Sequence, residues 1–194
     1  MKKEVWIGDK AKSPTRRGFL GALAAGSALG VLGACTVTTN GSVTTITLNV
    51  AKVKAYGQAG LDSVSTILDI TVVASAIGVP AVAAINVASA VLSASLNAFA
   101  AAAGSSLEVS YDNATMKARI DSVLADIKKV AAALGAGVDG AKSKVTSSVL
   151  SKVSIAIDSL DTVISLFEGL LGAVSTRRAT MSEAQALRNL GVAA

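Results

Sequence analysis

The chain has 194 residues, 52% hydrophobic and 3% aromatic, with one cysteine, no histidine and a formal net charge of +5. A lone cysteine excludes an internal disulfide, a CxxC redox pair and a cysteine-rich zinc site. The lack of histidine removes the commonest metal ligand and the one side chain that titrates near neutrality unaided. At this length one domain of roughly 100–200 residues with a real core is expected.

The charge is unevenly spread. Residues 1–34 hold Lys2, Lys3, Lys10, Lys12, Arg16 and Arg17 against Glu4 and Asp9, while the remaining 12 basic and 11 acidic residues nearly cancel. Phosphate binding calls for clustered Lys/Arg, and single-strand binding adds stacking rings. After residue 34 the only rings are Tyr56, Phe99, Tyr111 and Phe167, so no nucleic-acid partner is expected.

The N-terminal segment reads as an address. A basic stretch ends in Ser13-Pro14-Thr15-Arg16-Arg17-Gly18-Phe19-Leu20, an uncharged run spans 18–34, and Cys35 closes it. A basic head, an apolar middle and a small-residue end form the signal-peptide pattern. The 17-residue middle would be roughly 25 Å long as a helix, slightly short of a hydrocarbon core.

Thr15-Arg16-Arg17-Gly18-Phe19-Leu20 resembles the bacterial twin-arginine export signal, Ser/Thr-Arg-Arg-x-Phe-Leu-Lys, with Gly21 in place of the final Lys. Leu32-Gly33-Ala34-Cys35 is similar to a lipobox, whose cysteine is acylated and becomes the new N-terminus. The resemblance covers residues 1–35 and implies a twin-arginine-exported lipoprotein. On it, Arg16, Arg17, Phe19 and Leu20 serve export, Leu32, Gly33 and Ala34 form the processing site, and Cys35 carries lipid. It further implies the twin-arginine translocase and lipoprotein-processing enzymes as transient partners. Acyl chains on Cys35 would bind a membrane far more firmly than a single chain does. Thr36, rather than Asp, implies sorting to the outer membrane, facing the periplasm. Arg177-Arg178 is followed by no apolar run and is no second signal.

Residues 35–47 are small and Thr-rich and are expected to be a flexible tether carrying the lipidated Cys35. The alternation through 45–50 fits a short strand, but the start of a helix is favoured there. A helical body is expected over 48–176. Val50, Val53, Leu61, Val64, Leu68 and Val72 recur at helical spacing, interrupted by Gly57 and Gly60. Gly78-Val79-Pro80 is a strong break. A second helix follows to Ala103, then a loop or brief extended piece over 107–111. Asp112 or Asn113 can cap a third helix whose apolar stripe includes Ile120, Val123, Leu124, Ile127, Ala131 and Leu134. Gly135, Gly137 and Gly140 are expected to form the next turn, before a fourth helix running to about Val174. Residues 177–194 are a tail with a short helix capped near Ser182. The expected fold is all-α, an antiparallel four-helix bundle-like domain.

No charge occurs between Asp69 and Glu108, a gap of 38 positions. Between Pro80 and Ala103 there are only seven large apolar residues, and Asn86, Ser89, Ser93 and Asn97 line one side. The favoured reading is a largely buried helix with a narrow polar edge. The sharper reading is a hairpin over about 70–103 that inserts in, or perturbs, a bilayer.

Catalytic, cofactor and metal sites are expected to be absent. Asp158 and Asp161 share a helix face, and Asp121 and Asp126 face one another less well. A paired-carboxylate site needs both groups in a cleft, and on amphipathic helices they are expected to be solvated. Gly135-Ala136-Gly137-Val138-Asp139-Gly140 lacks the strand and the GK[ST] ending of a phosphate loop. Lys142, Ser143 and Lys144 sit together at a helix start, an exposed place for a Ser–Lys pair. The function expected is that of a non-enzymatic module, anchored in the cell envelope, that binds another envelope protein or itself.

Overall fold

A computed structural model describes residues 35–40, 43–172 and 179–192. Arg16, Arg17, Phe19, Leu20, Leu32, Gly33, Ala34 and the Arg177-Arg178 pair lie outside the described residues. The described chain is mostly helical, with a small antiparallel sheet at one end.

The expected tether is instead a pair of strands, β1 (Cys35–Asn40) and β2 (Val43–Asn49), joined in register from Cys35 opposite Leu48 to Asn40 opposite Val43. Threonine and valine are β-branched and fit a pleated strand. Along β2, Leu48 is fully buried and Ile46 packs against the core, which ties the ribbon down. A third strand, β3 (Glu108–Ser110), pairs with the other edge of β2, Leu48 standing opposite Val109.

The helix favoured at residue 48 begins two residues later, because β2 runs to Asn49, whose side chain accepts from the Lys52 N–H at 3.1 Å. Helix α1 (Val50–Leu68) then turns by 92° into the short α2 (Thr71–Ile77). That bend buries Val73 and brings Ile77 over Gly137. Gly78 ends α2 at φ 84°, a conformation suited to glycine, and Pro80 opens α3 (Val79–Ala103). Asn113, by accepting from the Met116 N–H, starts α4 (Ala114–Ala141).

The expected glycine turn at 135–140 is helix instead: α4 runs on to Ala141, followed by a 3-10 turn (Lys142–Lys144). Three glycines cost a helix about 1 kcal/mol each in propensity. Burial of Leu134, Val138 and Ala141, and the seat that Gly137 makes for Ile77 and Ile85, offset this. Helix α5 (Ser147–Leu170) stops before the expected Val174, and Ser182 caps the short α6 (Glu183–Asn189).

Helices α1 and α4 pack on each other, α3 packs on one side of the pair and α5 on the other, and α6 packs on α5. The core runs through Val53, Tyr56 and Ile67 of α1, Ile120, Ile127 and Leu134 of α4, and Leu160, Ile164 and Phe167 of α5. The α5 face toward the C-terminal segment is polar yet buried. Ser159 accepts from Asn189 Nδ2 at 3.0 Å, and the Thr162 hydroxyl accepts from the Thr180 N–H at 3.3 Å. Satisfied polar pairs of this kind hold a segment in one register.

Candidate interaction face

The charge-free segment forms α3, and its packing differs from the expected buried helix. Only Ile85, Leu92, Phe99 and Ala103 are buried. The first three are seven residues apart, so the helix offers the core one narrow line rather than a broad stripe. Leu92 and Leu96 approach α1 closely over Gly60 and Gly57, where a β-carbon would collide with them. The rest of α3 faces outward.

That outward face is apolar. Val79, Val87 and Val91 are 84%, 65% and 43% exposed. Ala83, Ala84, Ala90, Ala94, Ala101 and Ala102 fill the turns between them, with Asn86 and Asn97 as the exposed polar groups. An 18-residue window of α3 has a mean hydropathy of 1.8, and only 11% of it is buried. Among the described residues, α3 is the one unbroken helix with the length and composition of a membrane span. Most of that window is turned to the surface instead.

Lysines border the face. Ser95 on the inner edge of α3 donates to Asp126 Oδ2 at 2.6 Å, and Lys129 Nζ bonds Asp126 Oδ1 at 2.8 Å. Lys144 Nζ donates to the Ala76 carbonyl at 3.3 Å, beside the N-terminal end of α3. Lys54 shares an open depression of about 300 Å³ with Gly104, Ser105, Ser106 and Leu107, beyond its C-terminal end. Leu107 is 83% exposed there.

The sheet adjoins that same end. Cys35, Leu48 and Val109 form one row across the three strands. Two strand spacings of about 4.8 Å separate the Cys35 backbone from Val109. The Val50 N–H donates to the Leu107 carbonyl at 2.9 Å, closing the junction between α1 and the segment leaving α3. The predicted lipidation position therefore lies, by its backbone, at the C-terminal end of α3.

The residues weighed for chemistry are dispersed. Asp121 takes part in a surface cluster in which Tyr111 and Lys117 both donate to it, and Asp126 is held between α3 and α4. In that cluster, partial burial, and then the bond to Asp121, raise the Tyr111 hydroxyl pKa, and the Asp121 carboxylate holds Lys117 above the usual lysine range. Asp158 is exposed, Lys142 pairs with Asp139, and the glycine run lies inside α4. Among the described residues no group of three or more metal-ligating side chains converges. Tyr56 is buried against Phe167, ring centroids 5.4 Å apart, and donates to Glu183, which also pairs with Lys52. Burial, then the Glu183 charge, push the Tyr56 pKa well up. This cluster fastens α6 to α1 and α5.

The lysine border was missed in the sequence, because Lys54, Lys129 and Lys144 come from three other segments. The outward valines had a signal: no single core line can take both 85/92/99 and 79/87/91. No protein-family model matches this chain, and neither does any curated protein or solved structure.

Proposed function

We propose that this is an exported lipoprotein of the bacterial cell envelope, held to a membrane through acylated Cys35, whose body is a non-enzymatic interaction module. The body is read as an antiparallel four-helix bundle-like domain, with α3 as its working face. The observation that carries the interaction role is the outward, charge-free surface of α3, of which an 18-residue window is only 11% buried. Folded proteins rarely leave a contiguous apolar surface uncovered without a partner for it. Export and anchoring are supported by the twin-arginine pattern at 15–20 and the lipobox pattern at 32–35.

Intact-mass analysis after expression in a bacterium with both export and lipoprotein machinery tests the anchoring. A chain beginning at acylated Cys35 is expected; a product that keeps Met1 overturns it. Changing Arg16-Arg17 to Lys-Lys should hold the precursor in the cytoplasm, and undiminished export would refute the twin-arginine reading.

The exposure of α3 also favours a second reading, in which the 70–103 hairpin perturbs a bilayer. Dye leakage from vesicles at low protein-to-lipid ratio is its signature.

A further inference from the structure

We infer that the outer face of α3 lies flat on an anionic lipid leaflet, as a second contact beside the acyl chains on Cys35. The inference rests on the anchoring reading above and names the partner of the same face.

Three observations point to lipid. The first is chemical. The face is apolar and free of charge from Ile70 to Leu107, while Lys54, Lys129 and Lys144 stand around it near the C-terminal end, the middle and the N-terminal end. A helix at a membrane surface has this arrangement, an apolar stripe flanked by long cationic side chains whose stems lie along apolar surface while their heads reach phosphate.

The second is charge complementarity. Of the three lysines Lys129 is already paired with Asp126, and for Lys54 and Lys144 the α3 of a second copy carries no acid to offer. An anionic leaflet attracts the border instead.

The third is continuity. Cys35 sits in one row with Leu48 and Val109, about two strand spacings from the segment that leaves α3. Acyl chains entering a leaflet there would bring exposed Leu107 to the surface and leave the rest of α3, roughly 37 Å at about 1.5 Å per residue, to lie down along it. Alanine and valine insert weakly, so the helix orients the domain while the lipid holds it. Tethering raises the local concentration of the face at the surface, which lets weak contacts suffice.

The test uses the processed, acylated protein reconstituted in vesicles of phosphatidylglycerol with phosphatidylcholine. Acylation consumes Cys35, the one native cysteine. Val87→Cys then takes a polarity-sensitive fluorophore on the outer face of α3, and Ser154→Cys takes it on the exposed side of α5. Val87 is 65% exposed, so the change leaves the core untouched.

The probe at 87 should shift to the blue and be quenched severalfold more than that at 154 by a lipid-borne spin label. High salt, or phosphatidylcholine alone, should weaken the difference. Lys54→Gln and Lys144→Gln should each reduce leaflet contact about fivefold. Equal, water-like emission at both positions overturns the inference. So does shielding at 87 that grows with protein concentration and is not quenched by the lipid-borne label, which would assign the face to self-association. An unacylated mass refutes the anchoring reading instead. Cys35→Ser carrying Val87→Cys or Ser154→Cys, with vesicles added, then makes the same comparison.

Discussion

Gly57 lies so close beneath Leu96 that a β-carbon on it would overlap Cγ and both methyls of that leucine. The contact sets how near α3 comes to α1, and Gly60 beneath Leu92 repeats it one turn on. Alanine is about 1 kcal/mol better than glycine in a helix, yet overpacking typically costs roughly 1–3 kcal/mol. Gly57→Ala should therefore lower stability to chemical denaturation. Leu96→Ala in the same chain should recover part of the loss, so the double mutant loses less than the two single losses added.

The glycines of α4 respond differently from one another. Nothing lies within 4 Å of a β-carbon built on Gly135 or Gly140, whereas at Gly137 it meets Ile77 at 3.2 Å and Ile85 at 3.3 Å. Gly135→Ala and Gly140→Ala should each raise stability by about 0.5–1 kcal/mol through propensity and unfolded-chain entropy. Gly137→Ala should show no such gain. Thermal unfolding of the three variants separates them, and it also checks that α4 runs unbroken to Ala141.

Asp126 is buried between α3 and α4 with its two oxygens engaged by Ser95 and Lys129. A hydrogen bond to a charged group contributes about 1.5–3 kcal/mol. Ser95→Ala should cost an amount in that range. Lys129→Ala should cost less than about 1 kcal/mol, since the lysine side chain is 65% exposed and solvent screens its charge. Urea titrations of the two variants give the comparison.

Tyr56 sets an alkaline limit. Its pKa is raised in the fold by burial and by Glu183, while the unfolded chain ionises near its ordinary value of about 10. Below that value both states hold the proton and the fold keeps its full stability. Above it the unfolded state loses the proton first, so stability falls by about 1.4 kcal/mol for each pH unit. Tyr56→Phe should remove this component of the slope, seen by comparing denaturant midpoints of the two proteins across that range.

Much of the helical layout was legible because helix formation is local. The stripe from Ile120 to Leu134, the Asn113 and Ser182 caps and the Gly78–Pro80 break needed only near neighbours along the chain. The alternation through 45–50 hinted at β2, but the β1–β2 pairing was hidden because its threonines look like linker until Leu48 and Ile46 find a core and β3 arrives from about 60 residues downstream. Likewise the α1–α2 bend carries neither glycine nor proline; burying Val73 and seating Ile77 on Gly137 produces it.

The candidate face divides along the same boundary. Residue order settled that a long stretch would be helical, uncharged and rich in small side chains, and that a single cysteine would stand after an export-like segment. Folding chose which side of that helix water sees. Leu92 and Leu96 seat on Gly60 and Gly57 of α1 and Ile85 on Gly137 of α4, with Phe99 buried on the same line, so Val79, Val87 and Val91 are left outside, near lysines drawn from distant parts of the chain. Periodicity marks the faces of a helix, but only the shapes of its neighbours determine which face is covered.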